Sequence, residues 1–134
     1  MTTTDAFNAV KDRIVAAITD VSLAWQNEDF TVPDLPASFI RIDMSVDNQF
    51  AASFGGGLGS NRWRNTGFIE AHAFVPVGQG FAVASDLAER VATLFRGYRD
   101  GTISCFSARI EPGAADGNYW RATAVIDLQF DLIG

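Results

Sequence analysis

Apolar positions along this chain keep two periods, and the switches between them mark the elements. Ala6, Phe7, Val10, Ile14, Ala17, Ile18 and Val21 recur at steps of three and four, with Lys11, Asp12 and Arg13 on the opposite side. This stripe predicts a helix running from about Asp5 to Thr19, with Thr4 or Asp5 available as its cap. The period then shortens. Val21, Leu23 and Trp25 alternate, Gln26-Asn27-Glu28-Asp29 is turn-like, and Phe30 and Val32 alternate again, which reads as a short hairpin. Pro33-Asp34-Leu35-Pro36 is a rigid, extended connector. It delivers the chain into Phe39–Val46, where Ile40, Ile42, Met44 and Val46 alternate with Arg41, Asp43, Ser45 and Asp47: a strand with one dry face. Phe50, Ala52 and Phe54 continue that strand or begin a paired edge strand, before the flexible stretch Gly55-Gly56-Gly57-Leu58-Gly59-Ser60-Asn61.

The stretch Trp63–Phe95 organises the rest. Gly67, Ile69, Ala71, Ala73 and Val75 fall on one face of a ribbon of period two, and Phe68, Glu70, His72 and Phe74 on the other. Pro76 removes a ladder donor, and Gly78 and Gly80 permit the bend that ends the strand. Ala84, Leu87, Ala88, Val91, Leu94 and Phe95 then form a helical stripe, with Ser85 and Asp86 as candidate cap or first-turn residues.

A turn over Gly97–Gly101 leads to a strand over Thr102–Glu111, with Phe106, Ala108 and Ile110 on one side. Pro112–Asn118 reads as a long, mobile tip. The last strand alternates without a break through Trp120, Ala122, Ala124, Ile126, Leu128, Phe130 and Leu132, against Arg121, Thr123, Val125, Asp127, Gln129 and Asp131. The expected fold class is α+β: a mostly antiparallel sheet of about four to five strands, packed with two helices and closed by a long terminal β-hairpin. Residues 1–134 are expected to form one domain.

Composition narrows the class. With 134 residues, 48% hydrophobic and 19% charged, the chain can build a core without staples. The single cysteine, Cys105, excludes an intramolecular disulfide and fits a reducing compartment. The polar, acidic start and the absence of an apolar run near the roughly 18 residues of a membrane span predict no membrane partner. A net charge of −6 opposes unspecific nucleic-acid binding. Lys11 is the one lysine, so the basic charge is nearly all arginine, the cation suited to planar, ordered contacts at interfaces.

The chemical candidates are thin. The glycine stretch lacks the lysine of a P-loop, has Ser60 where a dinucleotide fingerprint needs glycine, and precedes a strand instead of a helix. Glu70 and His72 share a strand face and suit a general base, or His72 an activator of Cys105, but a half-solvated sheet face is the favoured reading of both. One histidine and one cysteine are too few for a metal site. Asp127 and Asp131 stand two same-face steps apart, a strained catalytic pair. Arg62-Trp63-Arg64 interleaves aromatic and basic side chains as single-strand binders do, and tryptophan and arginine also anchor protein interfaces. The interface reading is favoured.

In element order the chain resembles the tail-terminator family of long-tailed phages (minor tail protein U-like). Three segments carry the resemblance: Asp34-Leu35-Pro36-Ala37 leading into Phe39–Val46; Trp63 through Ala73-Phe74-Val75-Pro76 with the helix Ser85–Phe95; and Tyr119-Trp120 opening the terminal strand. Members of that family form a hexameric ring that caps the tail tube and presents a surface to the head connector, and gene transfer agents use similar parts. The resemblance implies a structural virion protein at the head-proximal end of the tail, present in host cytoplasm before assembly, with no catalytic residue, metal or cofactor. Its partners would be copies of itself in a ring, the tail tube protein and a head–tail connector protein. DNA would pass through the lumen without specific binding. Expected interface residues are Gly55, Gly56, Gly57, Leu58, Gly59, Arg62, Trp63, Arg64, Asp116, Asn118, Arg121, Asp127 and Asp131. The alternatives are a head-completion or connector protein and, from another class, a small cytosolic enzyme or ligand-binding domain using Glu70, His72 and Cys105.

Overall fold

The computed structural model describes residues 2–34 and 37–134. The elements follow as α1 (Thr3–Ala17), β1 (Ser22–Trp25), β2 (Phe39–Ala51), β3 (Arg62–Pro76), α2 (Phe81–Phe95), β4 (Ser104–Asp116) and β5 (Tyr119–Ile133). They form a five-stranded sheet of order β1-β2-β3-β5-β4, with β1 parallel to β2 and every other pair antiparallel. Both helices serve one face. The fold is α+β, as the two periodicities require.

The helix ends differ from the sequence expectation. Thr2, not Thr4 or Asp5, caps α1: its hydroxyl accepts from the Asp5 amide at 3.1 Å, and the Asp5 carboxylate accepts from the Thr2 amide at 2.8 Å. This reciprocal box satisfies orphan donors at the first turn, so the helix starts two residues early. It also ends early, at Ala17, because Ile18 turns extended while its side chain stays buried in the core. Helix α2 begins at Phe81, so Ser85 and Asp86 lie inside it and cap nothing. Gly80 occupies the cap position at φ 93°, a conformation open to glycine, and so turns the chain off β3 within four residues.

The hairpin expected over Val21–Val32 does not form. Only Ser22–Trp25 is a strand, and it runs parallel to β2 in the register Ser22↔Phe39 to Trp25↔Ile42. Phe30 packs its ring on Phe39 (centroids 5.4 Å apart) instead of entering a ladder. The place of Phe30 in the pattern therefore reflects aromatic packing, which has no period of its own, while Val32 is exposed. Of the Pro33–Pro36 connector, Leu35 and Pro36 lie outside the described residues.

The expected strand Phe39–Val46 extends to Ala51, pairing with β3 on both sides of a bulge between Val46 and Asn48. The bulge explains Gly67. A Cβ there would collide with the Ser45 carbonyl, so the close approach of the two backbones requires glycine. In β4 a bulge between Cys105 and Ala108 breaks the expected alternation: Ile103, Cys105 and Ala108 are buried and Phe106 is exposed. The tip predicted over Pro112–Asn118 is not a long loop. Strand β4 continues to Asp116, and Gly117-Asn118 alone close the hairpin, with a second bulge between Pro112 and Ala115. Pro112 is tolerated because β4 is an edge strand.

The core lies between the helices and the sheet. Ile40 and Ile42 of β2, Ile69, Ala71, Ala73 and Val75 of β3, and Ala122, Ala124, Ile126 and Leu128 of β5 meet Val10 and Ile14 of α1 and Ala84, Ala88, Val91 and Phe95 of α2. Alanines on both sides let α2 sit close to the sheet. Arg13 ties the helices together: its Nε donates to the Leu94 carbonyl at 2.7 Å and its guanidinium lies 3.6 Å from the Tyr98 ring centre.

Candidate interaction surfaces

Neither helix packs on the other sheet face, on which Phe39, Phe74, Thr123 and Val125 are nevertheless buried by their neighbours, and its residues stand in cross-strand rows. Phe39, Phe74 and Arg121 form one row, Arg41, His72, Thr123 and Glu111 the next, and Asp43, Glu70, Val125 and Arg109 the third. The last two rows each carry both signs, with the acidic Asp43 and Glu70 adjacent in the third. Arg41 pairs with Asp43 and Arg109 with Glu111, each at 3.3 Å. His72 accepts or donates at Nδ1 to the Thr123 hydroxyl at 2.9 Å, while its Nε2 lies 3.4 Å from Asp43 and 3.5 Å from Glu70. Burial pushes the imidazole below its ordinary value; the carboxylates of Asp43 and Glu70 oppose that, and Arg121 and Arg41 reinforce it. The Ser107 hydroxyl donates to Asp127 at 2.5 Å.

Towards the loop end of this face Asp131 gathers two arginines. Arg64 donates through Nε at 3.0 Å and Nη2 at 3.2 Å, and Arg62 through Nη1 at 3.2 Å. The Arg64 hydrogen bonds hold the Asp131 carboxyl below the usual carboxylate range, and the same contact raises the Arg64 guanidinium. Trp63 belongs to the other face. Its indole nitrogen donates to the Gly134 carbonyl at 3.1 Å, and it shares a shallow depression with Thr2, Thr3 and Leu132. The interleaved triplet is thus divided by the strand pleat: no stacking platform with arginines at its sides exists here.

The enzyme alternative meets a geometric obstacle. Cys105 is paired in the row of Leu128 and buried under the helices, while His72 stands on the open face. The sheet itself separates them. Burial pushes the Cys105 thiol up to about 12, far from a reactive thiolate. Among the described residues no group of three or more histidine, cysteine or acidic side chains is arranged to hold a metal ion.

The expected interface residues fall at two opposite ends of the sheet. Gly55–Gly59, Arg62, Trp63, Arg64 and Asp131 cluster at the β2–β3 loop, which is tied to the chain end by reciprocal backbone bonds between Asn61 and Gly134. Asn118 lies at the β4–β5 turn, where its carbonyl accepts from the Val77 amide at 3.0 Å; Arg121 stands beside Phe74, and Asp116 is in register with Tyr119. Strand β5 puts roughly 45 Å between the two groups. Asp127 sits midway. The Nε of Arg121 is buried and makes no hydrogen bond among the described residues.

One feature was not read from the sequence. A groove of about 620 Å³ opens on the face away from the helices at the β4–β5 end, lined by Trp25, Phe30, Phe39, Phe74 and Tyr119, with Glu28, Arg41 and Asp43 at its edge. Phe39 and Phe74 stack at 4.7 Å, and Tyr119 meets Phe39 edge-on at 5.1 Å and donates its hydroxyl to the Pro33 carbonyl. The available signal was Phe39 and Phe74, large apolar side chains at positions the alternation assigns to the polar face.

With this geometry in view, the comparisons decide the family. The sequence matches the family described as phage tail terminator protein over residues 4–127. The chain belongs to that family. It is a structural protein of the phage tail, located in the virion, and it meets other tail or head components. No curated protein matches the sequence. A solved structure superposes on 100% of this tail terminator family member and on 99% of its own chain, with a TM-score of 0.71 at 17% identity, a likeness of fold. No helix among the described residues is long and apolar enough to cross a membrane.

Proposed function

We propose that this chain, as one domain over residues 1–134, caps the tail tube as a ring, expected to be a hexamer, and joins the tail to the head connector. The observation that carries the reading is the family match across residues 4–127. The surface chemistry supports it: apolar side chains stand exposed at both ends of the sheet, Phe54, Leu58 and Ile133 at one and Val77, Phe81 and Val83 at the other. A protein that must meet components above and below has use for two such ends. The chain catalyses nothing and carries no cofactor in this role, so His72→Ala should leave assembly untouched.

A ring of copies multiplies the net charge of −6, and an acidic lumen lets DNA slide through by repelling its phosphates. An arginine-rich lumen would contradict that part. Light scattering and electron microscopy of the purified protein, alone and mixed with tail tubes, test the whole. Rings seated on tube ends are expected, because such a ring can require the tube as its template. Particles that build normal, full-length tails without this protein would overturn the reading. Trimming Gly55–Gly59 should preserve the fold and block joining to tube or connector. The alternative role, completing the head connector, predicts binding to heads in place of tube ends. The source, phage or gene transfer agent, follows from which particle contains the chain.

A further inference from the structure

Among the described residues, the edges of the sheet are covered or blunted everywhere but at one stretch. On the β4 side, Cys105 donates its amide to the Tyr98 carbonyl at 2.8 Å, Gly97 donates to the Phe106 carbonyl at 3.0 Å, and Arg96 donates to the Ala108 carbonyl at 2.8 Å. Further along β4, Pro112 lacks a donor, a bulge follows it, and Arg109 and Glu111 put charge on the edge. The end of β5 past Gln129 has no partner strand on that side, but it carries Asp131 with its two arginines. On the opposite side β1 covers β2 over Phe39–Ile42. Gln26 extends that cover: its amide donates to the Ile42 carbonyl and its side chain accepts from the Met44 amide. Past the bulge at Val46, the stretch Asn48–Ala51 pairs with β3 alone. Ala52 donates its amide to the Arg62 carbonyl at 2.8 Å, so the alternation of an antiparallel ladder points the backbone groups of Gln49 and Ala51 away from β3. The usual defences of an edge are missing here. The chain carries no charge and no proline from Asn48 to Asn61, and Phe50 is 44% exposed.

An idle, uncharged edge is complementary to an extended backbone, whose donors and acceptors repeat at the same spacing. A second copy has no matching strand to give. Its β1 is four residues long, its β4 is covered or bulged, and two β2 edges meet only about a two-fold axis, which closes no ring. The occupant is therefore another component. The stretch adjoins the Gly55–Gly59 loop, at an end of the sheet assigned above to a neighbour in the virion. In the proposed assembly the ring forms on the tube, so the contact made first is with the tube. A segment that becomes ordered as it binds is a contact able to start that sequence.

We propose that an extended segment of the tail tube protein adds as a strand to β2 at Asn48–Ala51. This rests on the tube-capping reading above and names how that contact is made. The test uses the full chain mixed with tail tubes. Ala51→Pro removes one outward donor and leaves the ladder to β3 whole, so its melting curve should stay close to that of the unaltered chain. The concentration needed to cap tubes should rise roughly 10-fold or more, because a backbone hydrogen bond is lost and the partner's carbonyl is left unpaired. Ala51→Val keeps the donor and should cap tubes normally. Hydrogen exchange on the unaltered chain, free and tube-bound, reads the same contact without a substitution: the Gln49 and Ala51 amides should slow on binding. Exchange alone decides if Ala51→Pro unfolds. Capping by Ala51→Pro at the ordinary concentration, or exchange at these amides unchanged by the tube, would overturn strand addition and leave capping standing. Loss of capping by both variants would mean a side-chain contact and overturn it too, as would protection of the two amides by the head connector but not by tubes. No capping by the unaltered chain would end both readings.

Discussion

The two faces of the sheet share their strands and differ in almost everything else. The face under the helices is closed and apolar, with Ile40, Ile42, Ile69, Ala71, Ala73, Ala124 and Ile126 fully buried. The opposite face exposes pairs such as Arg41–Asp43, Arg109–Glu111 and Arg64–Asp131, whose members remain in contact with water. The first holds the fold by removing apolar area from solvent, an effect that scales with size and shape. The second contributes little to stability, because exposed ion pairs gain little over their hydration. What it offers is a surface of fixed pattern. The contrast teaches that stability and recognition are divided between the faces of one ribbon.

The largest break in that contrast should come from the closed face. Ile69→Ala is expected to cost about 2–5 kcal/mol in chemical denaturation, through lost burial and the cavity left behind, while Phe68→Ala on the neighbouring position should cost clearly less. Next comes Gly67→Ala, expected to cost about 1–3 kcal/mol, since its Cβ meets the backbone of Ser45 where β2 bulges and the strand must shift. A loss as small as that of a surface alanine would mean the bulge can move freely.

Acid titration sharpens the comparison on the open face. His72 has its folded-state pKa depressed by burial, so its contribution to stability is complete above its unfolded value of about 6.5 and is lost as pH falls through the folded value. Asp131 is also depressed, by Arg64 and Arg62, so its contribution is complete above about 3.9 and disappears only in stronger acid. Two separate losses are expected in a series of melting curves. His72→Gln should remove the one at higher pH and leave the other. The smallest effect belongs to the exposed pair Arg109–Glu111: Glu111→Gln should change the melting temperature hardly at all.

The groove shows why a polar face was harder to read than an apolar one. Alternation assigned Phe74 to the face opposite Ala73 and Val75, and there it lies, buried in its stack with Phe39, but that stack depends on a register set by a loop and a bulge far along the hairpin. The charged rows posed the same difficulty. Arg62 and Arg64 are adjacent in the sequence to Trp63 and Asp131 is distant, but the pleat turns the tryptophan away and β5 brings the aspartate in.

Local chemistry alone, then, determined the two helices, the long strands and the buried set on each, because burial imposes periods of 3.6 and 2 that need no knowledge of partners. It also sufficed to bar a P-loop, while the family came from a resemblance in element order. Only the folded chain decided that β1 runs parallel to β2, that β5 lies between β3 and β4, and that His72 and Cys105 are separated by the sheet. Those outcomes depend on which strand edges meet and where an extra residue enters a ladder. Pairing between distant segments leaves no period in either segment by itself.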